Sequence, residues 1–259
     1  MIDLHTHVLP GIDDGAEHFA EAVEMCRRAI RDGCTALVAT PHQRRGSWWN
    51  DDLELLEALR ARIEREVADE LRLYPGGEIH VDGRFLDDFL DAPGSACGVL
   101  PLAGSRYLLL ELDVDGAPIE AFDLIHELVV TGWRPILAHP ELIPWLAGEP
   151  DLIARLVGLG AATQVTAMSL TGEFGRRPQA DVHRLLEAGL VHFVASDCHG
   201  IAKRPPGLAR ARRLVAARFG EEIADRLFVE NPRAVIEDRT LPGLSPAGRL
   251  DSVLPQGLP

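Results

Sequence analysis

TALVATPH, residues 35–42, is an unbroken apolar run that stops at a proline and a histidine. A strand with one solvated face alternates polar and apolar residues; a strand covered on both faces does not, and this run is of the second kind. RPILAHP (134–140) has the same form, and HFVASDCH (192–199) also runs from apolar residues into metal-ligand side chains. Working outward, strands are expected over residues 2–8, 34–41, 72–79, 107–114, 134–139, 161–167 and 192–197. Helical spacing fills the intervals: Phe19, Val23, Cys26 and Ile30 over 17–32, stopped by Gly33, then Leu56, Leu59, Ile63, Val67 and Leu71 over 51–71. Shorter helices are expected over 119–130, 151–159, 179–188 and 206–219. Strands alternating with helices predict an α/β domain whose parallel sheet closes, or nearly closes, into a barrel, with a doubly wound open sheet as the second choice.

The 259 residues carry a net charge of −14 and 46% hydrophobic side chains, enough for one large core. That charge repels phosphate backbones and anionic lipid, so neither nucleic acid nor a membrane surface is expected as main partner. There is no basic-then-apolar leader and no apolar run of membrane-spanning length, so a soluble, unprocessed, cytoplasmic protein is expected. Cys26, Cys34, Cys97 and Cys198 are too sparse for a disulfide framework and show no CxxC spacing. Residues 1–238 are expected to form the domain and the Pro/Gly-rich 239–259 a tail outside it.

Where the expected strands end, His5, His7, Asp14, His42, Glu78, Glu111, His139, Asp197 and His199 recur. Imidazole and carboxylate groups gathered at one end of a parallel sheet are the makings of a multinuclear metal site. His5 and His7 stand two apart on a strand and so share a face, as do Asp197 and His199, and first and last strands are neighbours in a closed barrel. Glu111 lies inside the apolar YLLLEL, where a lone carboxylate is costly unless paired or coordinated. His18, His80, His126, His183 and His192 read as bystanders, His80 least clearly because it shares the strand parity of Glu78.

DLHTHVLPGIDDGA (3–16), ALVATPH (36–42), ILAHPE (136–141) and VASDCHG (194–200), in this order, resemble the PHP (polymerase and histidinol phosphatase) superfamily. They are most similar to its bacterial protein-tyrosine phosphatases of capsule and exopolysaccharide operons. The resemblance implies a distorted (β/α)7 barrel with two to three divalent ions, manganese first, with iron, zinc or magnesium as alternatives. It also implies the grouping: His5, His7, Glu78 and Asp197 on one ion, Asp14, His42 and His199 on a second, Glu111 and His139 on a third, with Glu78 bridging. Asp14 and Asp197 are candidate proton donors to the leaving oxygen, and Arg204 matches a family arginine that holds phosphate. The implied substrate is a phosphotyrosyl protein, in particular a bacterial tyrosine kinase. The chemistry suits this, because divalent ions activate water and neutralise charge on a phosphate dianion.

The chain departs from the family pattern at Leu142, where an arginine is common, and at Gln43, where a second histidine is. Arg44 and Arg45 are therefore candidates for a substitute phosphate contact, and Trp48, Trp49 and Trp145 for an aromatic wall receiving a tyrosyl ring. The other use of the tryptophans is packing or contact between copies in a homo-oligomer. Cys198 to Arg204 also fits the C-x5-R pattern of cysteine phosphatases, but Pro205 and Pro206 interrupt the helix that chemistry needs, and strand parity turns Cys198 away from Asp197. Cys198 is expected to be a packing residue. A phosphatase of small metabolites (histidinol phosphate, a nucleotide) and a metal-binding regulatory module are the competing functions; an amidohydrolase is disfavoured because Lys203 is the only lysine.

Overall fold

The computed structural model describes residues 1–67, 69–114 and 118–242. In chain order the elements are β1 (Ile2–Thr6), α1 (Phe19–Arg31), β2 (Ala36–Ala39), β3 (His42–Gln43), α2 (Leu53–Val67), β4 (Arg72–Pro75), β5 (Glu78–Val81) and α3 (Phe85–Asp91). There follow β6 (Tyr107–Leu112), α4 (Pro118–Val130), β7 (Arg134–Ala138), α5 (Pro150–Gly158), β8 (Ala162–Thr166), α6 (Ala167–Thr171), α7 (Arg176–Glu187) and β9 (Phe193–Ala195). α8 (Ala209–Phe219), α9 (Glu221–Asp225) and α10 (Asn231–Ile236) complete the set.

Every strand pairing is parallel, in one sheet ordered β1-β2-β4 and another ordered β3-β5-β6-β7-β8-β9. The two sheets are halves of one wall. β2 and β3 are a single path kinked at Thr40-Pro41, and β4 and β5 a single path kinked at Gly76-Gly77. Only glycine fits the second kink, since a Cβ on Gly77 would lie 2.0 Å from Gln43 Oε1. β9 returns to β1 through an isolated parallel bridge between Thr6 and Cys198, where the His7 N–H donates to Cys198 O (3.0 Å) and the Asp197 N–H to His5 O (2.9 Å). The expected distorted seven-stranded barrel is therefore present, with a seam held by a few bonds in place of a continuous ladder.

The unbroken apolar strands have two apolar surroundings. Leu37, Leu108, Leu110, Leu137 and Val194 pack outward among Met25, Ile63, Phe85, Ile125 and Leu156, which belong to the helices. Ile2, Leu4, Val38, Leu109, Ile136 and Phe193 fill the barrel, whose base is closed by Ala234, Val235 and Leu241. Burial of each such large side chain contributes roughly 1.5–3 kcal/mol. A register irregularity between Asp3 and Thr6 lets Leu4 and His5 both serve the interior. Asp3, not singled out in the sequence, ties the seam: its Oδ1 accepts from the Ser196 N–H (3.0 Å) and the His5 N–H (3.4 Å), and burial pushes its carboxyl up to about 6.

Three expectations are corrected. α3 was not anticipated, although Phe85 and Phe89 are four apart and both fully buried. The last strand stops at Ala195, so Asp197 lies beyond it. The fold also runs past residue 238: Leu241 is buried and the Tyr107 O–H donates to Arg239 O (2.7 Å). Residues 243–259 of the expected tail lie outside the described residues.

The seam can be tested by Asp3→Ala, which leaves the buried Ser196 N–H without its acceptor. Urea unfolding should show a loss of about 1–3 kcal/mol, with Asp3→Asn, which keeps an acceptor oxygen, losing less. Equal stability of Asp3→Ala and wild type would show that the seam does not depend on Asp3.

Candidate metal centre

Above the apolar layer the barrel interior turns polar. His5 and His7 come from β1 and the turn after it, His42 opens β3, Glu78 opens β5, Glu111 lies near the end of β6, and His139, Asp197 and His199 follow β7 and β9. His139 (φ 34°) and Asp197 (φ 52°) both have left-handed backbones, a conformation that costs a non-glycine residue energy and turns each side chain inward immediately after its strand. Asp197 and His199 thus converge through a turn, not through the strand alternation expected of them.

Glu78 stands at the centre, 1% exposed. Its Oε1 lies 2.7 Å from His139 Nε2 and 3.4 Å from His5 Nε2; its Oε2 lies 2.7 Å from His42 Nδ1 and 3.4 Å from His7 Nε2. Asp14 faces His42 Nε2 at 3.2 Å and His199 Nε2 at 3.3 Å, and Asp197 Oδ1 lies 3.4 Å from His5 Nε2 and 3.5 Å from His7 Nε2. Among the described residues, four sets have candidate ligand atoms within 4.8 Å of one another: His7, Asp14, His42 and His199; His5, His7 and Asp197; His5, Glu78 and His139; His42, Glu78 and Glu111. All nine expected residues are brought together. The grouping differs in part from the one expected, because Glu111 joins His42 and Glu78 while His139 joins His5 and Glu78.

The side chains fit divalent ions on their own chemistry. His5 Nδ1 is 2.8 Å from Gln164 Oε1 and His7 Nδ1 is 2.9 Å from Asp13 Oδ2, so oxygen acceptors assign the proton of each ring to Nδ1. The two Nε2 lone pairs then face each other at 3.1 Å, a repulsive arrangement that a shared cation relieves. His199 Nδ1 donates to Asp197 O (2.9 Å), leaving its Nε2 to face Asp14. His139 Nδ1 is buried without a hydrogen-bond partner. Burial favours the neutral acid at Glu78, but His5, His139 and His42 hold its carboxyl well below the usual range. Asp197 is likewise held low, against burial, by His5, His7, His139 and Arg204. Deprotonated carboxylates and ε-nitrogen lone pairs are the states that bind metal.

Several contributors were not singled out in the sequence. Asp13 orients His7, accepts from the His42 N–H (3.1 Å) and, through Oδ1, from the Gly15 N–H (2.9 Å). Gly15 lies so close to the first ligand strand that a Cβ there would be 2.2 Å from His7 O, which explains the glycine after the paired aspartates. Gln164 orients His5, and His80, read as a bystander, has Nδ1 3.3 Å from Glu111 Oε2. Strand parity with Ala162 was the available signal for Gln164; none marked Asp13 over Asp14.

The ligands open into a cleft of about 250 Å³ flanked by Arg45 and Arg204 and walled by Leu112, Val114, Leu142 and Ile143. Arg204 pairs with Asp197 Oδ2 and lies over Phe174, and Arg45 NH1 is 3.2 Å from Glu111 Oε1. Arg44, expected at the phosphate, is instead buried, 2.6 Å from Asp88 Oδ2. Trp49, expected in an aromatic wall, covers Arg44, while Trp48 stacks on His42 at 5.3 Å. Gln43 faces away from the cleft: it donates to Asn50 O (2.8 Å) and Gly98 O (3.0 Å) and accepts from the Leu100 N–H (2.8 Å), which makes it a loop staple. Cys198 is fully buried in the outer core, and burial pushes its thiol well above its ordinary range.

The family model for capsular polysaccharide synthesis, CpsB/CapC, matches residues 1–237. The chain belongs to the CpsB/CapC family. Tyrosine-protein phosphatase YwqE of Bacillus subtilis is 35% identical over 243 residues, 93% of each chain. The crystal structures of YwqE from Bacillus subtilis and CpsB from Streptococcus pneumoniae, described as unique metal-dependent tyrosine phosphatases, include a chain that superposes with a TM-score of 0.85 at 33% identity, covering 96% of this chain and 100% of that one. A putative histidinol phosphatase, HisK of Listeria monocytogenes, shares the fold at a TM-score of 0.50 and 13% identity, over 81% of this chain and 99% of its own. The PHP-type fold expected from the motifs is thus shared with both.

Because Asp13 fixes the tautomer of His7, Asp13→Ala should weaken metal binding by about ten- to a hundredfold in a calorimetric Mn²⁺ titration. Unchanged affinity would mean that His7 is held by its backbone alone.

Proposed function

We propose that the protein is a divalent-metal-dependent phosphomonoesterase that hydrolyses phosphotyrosine on protein, working in the cytoplasm opposite a bacterial tyrosine kinase in capsule or exopolysaccharide synthesis. The observation that carries this reading is the convergence of four ligand sets, each sharing a residue with two of the others through His5, His7, His42 or Glu78, on a cleft bracketed by Arg45 and Arg204. His5, His7, Asp14, His42, Glu78, Glu111, His139, Asp197 and His199 are taken as ligands of two to three ions, manganese first, with iron, zinc or magnesium as alternatives. When bound, such ions supply a nucleophile at neutral pH and neutralise charge on the phosphoryl oxygens.

The chain's own groups do the rest. Arg204 and Arg45 present guanidinium donors from two sides of the cleft to a tetrahedral dianion. The aliphatic wall of Leu112, Val114, Leu142 and Ile143 packs the aryl ring and keeps water from that side. Leu142 in place of the family's arginine makes this wall more apolar and leaves phosphate recognition to the two remaining arginines. Asp14 or Asp197 would supply what protonation the leaving oxygen needs, and a phenolate requires little.

Chelation should abolish turnover of a phosphotyrosyl peptide, Mn²⁺ should restore it, and the chelated protein should melt at lower temperature because ions bound only by the folded state stabilise it. Full activity after exhaustive chelation, or a strong preference for histidinol phosphate over the peptide, would sink the assignment.

Arg204→Ala removes a charge-assisted contact worth about 1.5–3 kcal/mol, so kcat/KM should fall roughly ten- to a hundredfold. His5→Ala should remove most activity and Cys198→Ser should stay within a few-fold of wild type. The opposite ranking of those two variants would point to thiol chemistry.

A further inference from the structure

A second groove, of about 350 Å³, adjoins the catalytic cleft and shares Leu112 with it. Leu86, Leu124 and the indole of Trp145 give it an apolar floor, and Glu120, Asp123 and Asp82, the last of these near Arg44, an acidic rim, with no basic side chain among its described lining residues. Glu120 and Asp123 stand three apart on α4, and neither has a cationic partner among the described residues. The indole N–H donates to Asp113 O (2.9 Å), which fixes the ring. The cleft next door carries Arg45 and Arg204 beside the imidazoles and carboxylates taken as ligands, so it has the opposite character once divalent ions are bound.

We infer that this groove binds an arginine side chain of the phosphotyrosyl substrate, close in sequence to the phosphotyrosine. The inference rests on the phosphatase reading above and adds to it a sequence preference. Adjoining recesses of opposite charge orient a ligand that carries an anion and a cation: the cleft, with its arginines and the divalent ions it would hold, draws phosphate and repels a cation, and the acidic groove accepts that cation. An arginine has the right anatomy, since its methylene stem covers apolar surface while the planar guanidinium stacks on an indole and offers donors to two carboxylates. The protein uses this combination nearby, where Arg44 lies 3.5 Å from Asp82 and 2.6 Å from Asp88 with its guanidinium over Trp49 and Phe85. A lysine satisfies the charge but not the stacking plane.

The test is steady-state kinetics on phosphotyrosyl peptides in which arginine, norleucine or glutamate is placed at each flanking position in turn, with metal-loaded protein. Arginine at one or two positions should raise kcat/KM by about three- to tenfold, mainly through KM, since one partly exposed ion pair and one cation–π contact are worth that much. The gain should shrink with added salt. Glu120→Gln combined with Asp123→Asn should abolish the preference and leave turnover of free phosphotyrosine unchanged. No preference at any position, or one that persists undiminished in the double variant, overturns the inference while the phosphatase reading stands. Failure to hydrolyse any phosphotyrosyl peptide, with small alkyl phosphates turned over, overturns the phosphatase reading and this inference with it.

Discussion

A carboxylate buried among four imidazoles governs this molecule. Glu78 is removed from water yet held ionised, and its two oxygens face His5, His139, His42 and His7. An ionised group in that position is tolerable only if positive charge is supplied around it. The histidines supply part of that charge when protonated, and divalent ions supply it when the rings bind as neutral ligands. The same few side chains therefore set both the electrostatic stability of the barrel mouth and its capacity for chemistry.

The barrel is built to present that mouth. Its lower interior is filled by Leu4, Val38, Leu109, Ile136 and Phe193, and the polar layer lies above them. Close packing below leaves the ligands no room to sink, and left-handed backbones at His139 and Asp197 turn them inward at the rim. The seam between β9 and β1 is the weakest part of the wall and also carries both paired-ligand motifs, so Asp3 and the Thr6–Cys198 bridge hold the fold and the ligand geometry together.

Orientation of the ligands comes from a ring of polar residues behind them. Asp13, Gln164 and His80 each hold a ligand by a hydrogen bond from the side away from the cleft. Glu141 does the same for the loop after His139: fully buried, it accepts from the Thr166 N–H and O–H at 2.9 Å each and so pins that loop to the end of β8. These residues restrict the ring rotations and tautomers that a metal site must otherwise fix on binding.

The sequence by itself determined the barrel and the nine side chains that gather at its mouth. Unbroken apolar strands can exist only where both faces are covered, and charged or imidazole side chains at their ends, such as Glu111 after YLLL, are costly unless they meet partners, so both facts are local and legible. The tertiary structure alone decided which residues stand behind the ligands and which line the cleft. Asp13 and Asp14 are adjacent in a turn, and only the path of that turn past His7 makes one an orienting group and the other a ligand candidate. Arg44 and Arg45 are likewise adjacent, and a left-handed backbone at Arg44 (φ 61°) sends one side chain to Asp88 and leaves the other in the cleft. Neighbouring residues of the same chemical type carry the same local information, and their roles diverge because backbone direction and packing from distant elements choose between them.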